Sequence, residues 1–149
     1  ASLGEVENSA LYVAMSIMFG FSLPIVTLLL DEGADPKLGL GETSNVLHGL
    51  GFGVCDGIAP AELAQVIKRC VALGADIEQR SNKLGWTPLI TAASEWNPVA
   101  VEALLLAGAN IAAKAGEVAE VCFSGASAEA FADGHEATKA IFDRYQSVV

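Results

Sequence analysis

The chain has 149 residues, 52% of them apolar and only 7% aromatic, and its 18 acidic side chains against 8 basic ones leave a formal charge of −10. That length makes one domain, able to bury about 70% of its unfolded surface. The acidic balance argues against nucleic acid and anionic membranes as partners and allows a basic protein.

Residues 8–30 carry no charge, so a membrane span has to be weighed. Gly20 and Pro24 interrupt the stretch, no basic flank precedes it, and Asp31-Glu32-Gly33-Ala34-Asp35 follows at once. A signal peptide fits no better, because the residues before it are acidic, Glu5 and Glu7.

A helix starts near Asn45-Val46-Leu47-His48. The Gly49-Leu50-Gly51-Phe52-Gly53 run behind it invites a nucleotide-loop reading. It lacks the third glycine of a dinucleotide loop, the Lys-Ser/Thr of a phosphate loop and a preceding strand. Three glycines inside a helix should each cost about 1 kcal/mol against alanine; they either permit close helix contact or mark a mobile helix. Surplus residues around Cys55–Pro60 sit in a turn, where an insertion is cheap. From Pro60 the stripe is Leu63, Val66, Ile67, Cys70 and Val71, with Lys68 and Arg69 outside, and residues 78–84 make a long protruding connection.

Thr87-Pro88 is a helix start: threonine caps a backbone N–H, and proline takes the first position, where no donor is needed. Leu89, Ala92 and Ala93 share one side of this short helix, and Asn97-Pro98 repeats the start signal. Val101, Leu104 and Leu105 fall at i, i+3 and i+4, and Gly108 closes the helix. A longer connector through Lys114-Ala115-Gly116 reaches about Gly125. Ser127 to Ala132 and Gly134-His135 follow, then a final helix with Ala137, Ala140, Ile141 and Tyr145 inward and Glu136, Lys139, Asp143 and Arg144 outward.

One phrase is written three times: LLLDEGAD at 28–35, VALGAD at 71–76 and LLAGAN at 105–110. Self-similarity at roughly thirty to forty residues is the mark of a stacked solenoid. With TPLITAA at Thr87–Ala93, these phrases make the chain resemble the ankyrin-repeat family. The resemblance implies an all-α ankyrin-repeat solenoid of about four helix-turn-helix units, forming a single domain over 1–149. The units run over approximately 5–38, 39–80, 81–113 and 114–149, with degenerate first and last units as caps. It explains the uncharged stretch better than a span does, placing Ser9–Ala14 at the first helix start and Ile25, Val26, Leu28 and Leu29 in a second helix. It also makes His48 a helix-start histidine tied to neighbouring backbone, and gives the last helix a polar outer face that keeps the solenoid end in water.

No Gly-x-Ser-x-Gly elbow, HExxH motif or phosphate loop is present. Cys55, Cys70 and Cys122 are odd in number and lack CxxC spacing, and His48 and His135 are far apart. We therefore expect no cofactor, no metal site, no catalysis and a reducing, cytoplasmic setting. Cys70 lies on an apolar stripe and reads as a small core residue.

The resemblance implies binding of another protein through a concave face of turn tips and exposed first-helix sides. The third unit would present Lys83, Leu84, Trp86, Ser94 and Glu95; the second, Glu42, Ser44, Phe52 and Gly53; the first, Asn8, Ser16 and Ile17. Trp86 is either an interface anchor or a residue packed on the adjacent turn. Trp96 stands at an inter-helix turn, where the family usually has glycine, and is expected to cover the base of the stack. We expect a monomer with no membrane contact, in one of two versions. One is a free-standing adaptor or inhibitor, for instance an immunity protein masking a toxin. The other is a regulatory or scaffolding domain cut from a longer polypeptide.

Overall fold

Helix ends organise this chain, and the thrice-written phrase builds three of them. The computed structural model describes residues 10–16, 22–39, 44–53, 55, 57–81, 84–116 and 125–146. Their helices are α1 (10–16), α2 (Leu23–Asp31), α3 (Val46–Leu50), α4 (Pro60–Ala72), α5 (Pro88–Ser94), α6 (Pro98–Leu106), α7 (Ala128–Phe131) and α8 (Glu136–Gln146). No strand occurs among the described residues, only isolated bridges between Ser81 and Trp86 and between Lys114 and Ser127.

At each repeated phrase the chain leaves its helix the same way. Ala34, Ala75 and Ala109 donate to Leu29, Cys70 and Leu104, each at 3.0 Å, while Gly33, Gly74 and Gly108 donate to Leu30, Val71 and Leu105. These are paired Schellman bonds, which satisfy carbonyls that have no partner within the helix. They require a left-handed residue at the glycine, and the three φ values are +95°, +109° and +104°. The Asp or Asn that follows then folds an Asx turn, with Lys37, Glu78 and Ala112 donating to Asp35, Asp76 and Asn110 at 2.9–3.0 Å.

Helix starts are equally local. Ser22, Thr87 and Asn97 cap α2, α5 and α6 by accepting from Ile25, Ile90 and Ala100, and each of these helices has proline in its first turn. Asn45 replaces threonine ahead of α3: its side chain accepts from Leu47, and its own N–H donates to His48 Nδ1 at 3.1 Å. Since Nδ1 accepts, Nε2 carries the proton and donates to the Trp86 carbonyl at 3.0 Å. The expected tie between His48 and neighbouring backbone is thus present.

The helices lie in two rows. Helix α5 packs between α3 and α7, α6 packs between α4 and α8, and α5 and α6 pack on each other. Helix α2 joins α4 through Asp31 and Arg69, 2.5 Å apart. The core runs between the rows through Leu47, Leu50, Leu63, Ile67, Leu89, Ile90, Val101, Leu104 and Phe142, all fully buried. Helix α5 is buried from Pro88 to Ala93. Burial pushes the Cys70 thiol up to about 12, which makes it an inert core group.

Several expected stripes shift. In α2, Val26 and Leu30 face inward while Ile25 and Leu28 are 54% and 57% exposed. In α4, Ala64 is buried and Val71 is exposed. In α8 the inward residues are Thr138, Ile141 and Phe142, and Ala137 and Ala140 face water. Alanine is apolar enough to read as core but small enough to lose little when exposed, so a larger neighbour takes the inner position. The glycine run does not sit inside a helix, because α3 ends at Leu50 and only Gly49 is helical. Close contact explains two of these glycines. A methyl at Gly49 would lie 2.8 Å from the Tyr12 ring, and one at Gly51 would lie 3.0 Å from the Ala92 nitrogen.

Two predictions follow from these contacts. Gly85 has φ +64°, and a methyl there would meet the Gly116 nitrogen at 2.9 Å. Gly85→Ala should lower unfolding free energy by about 2 kcal/mol in urea titration. For His48, burial lowers the imidazole pKa below its ordinary 6.5 against the opposing pull of its backbone contacts. The folded value lies below the unfolded one, so this stability is complete above pH 6.5 and is lost as pH falls through the folded value. The melting temperature should therefore fall more steeply below that pH for the native chain than for His48→Gln.

Candidate functional site

The turn tips are stitched to one another by side chains. Ser81 donates to the Trp86 carbonyl at 2.9 Å and Gly85 to Ser81 at 3.0 Å, closing the turn that carries Leu84. Arg80 donates from one guanidinium nitrogen to Gly85 O at 2.8 Å and to Lys114 O at 2.5 Å, spanning two successive turns. Gly116 donates to Leu84 O at 2.9 Å. The Asn45 amide donates to Asp76 O and to Gln79 at 2.9 and 3.0 Å. Glu78 accepts from the Asn110 backbone N–H at 2.8 Å; burial pushes its carboxyl above the usual carboxylate range, with that hydrogen bond opposing the shift. A surface held this way loses little freedom on binding.

Trp86 is half-buried, its ring edge-on to Phe131 with centroids 5.1 Å apart and planes at 71°. It packs toward α7 rather than standing free on the turn. Ser44 and Ser16 are half-buried, Ser16 with a 3.5 Å bond to the Val13 carbonyl. Lys83, Glu42, Asn8, Ile17 and Cys122 lie outside the described residues.

Phe52, Gly53 and Glu95 sit elsewhere. Seven-residue α5 rises roughly 10 Å and separates the tips from the inter-helix turns. At that far end, Phe52, Glu95 and Trp96 line an open groove of about 210 Å³ with Gly51, Gly53, Asn97 and Pro98. Ser94 turns back along α5 and donates to Thr91 O at 2.7 Å. The structure therefore divides the expected face into two groups, Leu84 and Trp86 at the tips, and Phe52, Gly53 and Glu95 at the groove.

Three residues that sequence reasoning gave no such role hold or shape these regions. Arg80 is one. Asn97 is another, capping α6 through Oδ1 while its amide donates to Gly51 O and Gly53 O at 3.2 and 2.8 Å. It ties the end of α3 to the start of α6. The third is Trp96, half exposed at the inter-helix turn as expected. It occupies the left-handed position of a Schellman end: Asn97 donates to Ala92 O and Trp96 to Ala93 O, and Trp96 has φ +52°. Its indole donates to Phe131 O at 3.1 Å and stacks on His135 with centroids 5.3 Å apart. The legible signal was a tryptophan at a helix stop, where glycine is the cheap choice.

A pair of substitutions separates strain from stacking. Trp96→Ala removes the ring and keeps a side chain in the left-handed region; Trp96→Gly removes both. The alanine variant should be less stable than the glycine variant by about 1 kcal/mol in urea denaturation. Equal stabilities would show that the turn relaxes once the ring is gone.

No described helix is long and apolar enough to cross a membrane, and no group of three or more His, Cys, Asp or Glu among the described residues is placed to hold a metal ion. No curated protein matches the chain. Residues 84–116 match the family model for the ankyrin repeat, a stretch that takes in the turn tip at Leu84, helices α5 and α6, their Schellman ends and the next tip at Gly116. The chain thus carries an ankyrin repeat over residues 84–116, as its resemblance to that family implied.

Proposed function

We propose that the chain is a non-catalytic module that holds a partner protein on a single ankyrin-repeat domain. The domain would comprise four units, over about 5–38, 39–80, 81–113 and 114–149, the first and last serving as caps. The observation that carries this reading is the ankyrin repeat at residues 84–116, since ankyrin repeats bind other proteins. Two rows of helices and the charged outward residues of α8 support the stacking. The tips stitched by Arg80 and Asn45 support a rigid recognition surface.

The contact residues in this reading are Leu84, Trp86, Ser94, Glu95, Ser44 and Phe52, together with Lys83 and Glu42. A charge of −10 favours a basic partner and fast encounter. In this reading the module is a monomeric inhibitor in the cytoplasm, of the immunity-protein kind, its acidity suiting it to mask a basic partner. Trp86 contributes from a packed position, so its removal would perturb the fold as well as the face.

Affinity capture from a lysate of the source organism, read by mass spectrometry, tests this. Leu84→Ala with Glu95→Lys is the control, because both changes avoid the buried core. A single protein retained by the native chain and lost with the variant is the expected result. Equal capture by both would move the site away from these residues. No retained protein, from lysate in which the chain is expressed, would overturn the binding role.

A further inference from the structure

The groove between the inter-helix turns is built differently from the tips. Its floor passes through Gly51 and Gly53, whose carbonyls are already taken by the Asn97 amide. Two aromatic residues, Phe52 and Trp96, and one carboxylate residue, Glu95, are among those that line it. Phe52 and Trp96, at 43% and 47%, are the exposed aromatic side chains among the described residues. Glu95 is exposed and is the one charged residue among the described residues that line the groove. At about 210 Å³ the space falls below the roughly 300–1,000 Å³ of small-molecule and cofactor sites and suits one side chain of a larger partner.

Trp96 gives the second line of argument. A tryptophan at φ +52° is strained where glycine would be free, and the Schellman turns of α2, α4 and α6 use glycine. Here the ring is fixed by a hydrogen bond to Phe131 O and by stacking on His135. A half-exposed indole held at both ends is preorganised, and docking against it costs little ordering entropy.

The geometry points to this groove as an anchor pocket for an arginine side chain on an exposed segment of a partner protein. The inference rests on the reading of the chain as a protein-binding module, and places part of that binding at the inter-helix end rather than on the tips. Arginine is the side chain that meets both demands at once: its planar guanidinium stacks on an aromatic face and pairs with a carboxylate through a two-pronged hydrogen bond. Lysine meets the charge but not the plane. The overall charge of −10 draws a basic segment in, and Glu95 with Trp96 selects its side chain.

A random linear peptide library displayed on phage, selected on the native chain and on folded Trp96→Gly and Glu95→Lys variants, tests this. The expected outcome is enrichment of arginine-bearing peptides on the native chain. Synthetic copies of these peptides should weaken about tenfold or more on Trp96→Gly, and similarly when their arginine is replaced by neutral citrulline. Selection on Glu95→Lys should lose the arginine preference. Enriched peptides that bind Trp96→Gly unchanged, or that tolerate lysine in place of arginine, would show general attraction to an acidic surface and overturn the pocket. Peptides lost on Leu84→Ala but kept on the groove variants would also overturn it while leaving the protein-binding role intact. No enrichment on any chain would count against both.

Discussion

A short helix leaves nearly as many backbone groups unpaired at its ends as it pairs along its length. Helix α5 has seven residues, and its first N–H groups and last carbonyls have no partners within it. The architecture follows from where such groups find partners. Thr87 and Asn97 satisfy starts, and the Schellman bonds at 33–34, 74–75 and 108–109 satisfy stops. What remains is met by neighbouring units: the Trp86 carbonyl takes His48, the Gly51 and Gly53 carbonyls take Asn97, and the Lys114 carbonyl takes Arg80. Apolar burial brings the rows together, and these side-chain bonds set how one pair of helices sits on the next.

The same bonds shape the proposed recognition surface. Tips are tied across units by Asn45, Arg80 and Gly116, so a partner docking there would meet one preformed edge rather than separate loops. At the other end, Asn97 takes the Gly51 and Gly53 carbonyls of the groove, which Phe52, Trp96 and Glu95 also line. Both ends lie on a strongly acidic chain, which raises encounter rates with basic partners at low ionic strength. Exposed ion pairs such as Lys139–Asp133 add little to stability.

Much of the fold was legible because its signals are local. Thr87-Pro88 and Asn97-Pro98 mark starts through the physics of an orphan N–H, and Gly-Ala-Asp marks a stop and an Asx turn within three residues. His48 was readable through the family resemblance, although one of its partners, the Trp86 carbonyl, lies 38 residues away. The glycine run was read as helical because composition alone does not show where a helix gives out; α3 stops at Leu50. Facing was harder for small residues, and Ala137 and Ala140 were placed inward where Thr138 and Phe142 are buried. The candidate site was legible as a list of residues but not as a place. Phe52 and Glu95 belong to one groove and Leu84 and Trp86 to another end of the stack, since sequence distance does not report which turns adjoin.

The sequence by itself determined that this chain is helical, where most helices begin and stop, and that it carries an ankyrin repeat, because caps, turns and the repeated phrase act over a few residues. Tertiary structure decided which of several apolar residues face inward, that Trp86 packs on Phe131, and that Trp96 keeps a left-handed backbone against His135. It also decided that Arg80 and Asn97 join one unit to the next. Those outcomes depend on contacts between residues more than thirty positions apart, and no local pattern encodes which groups will be brought within bonding distance once the rows close.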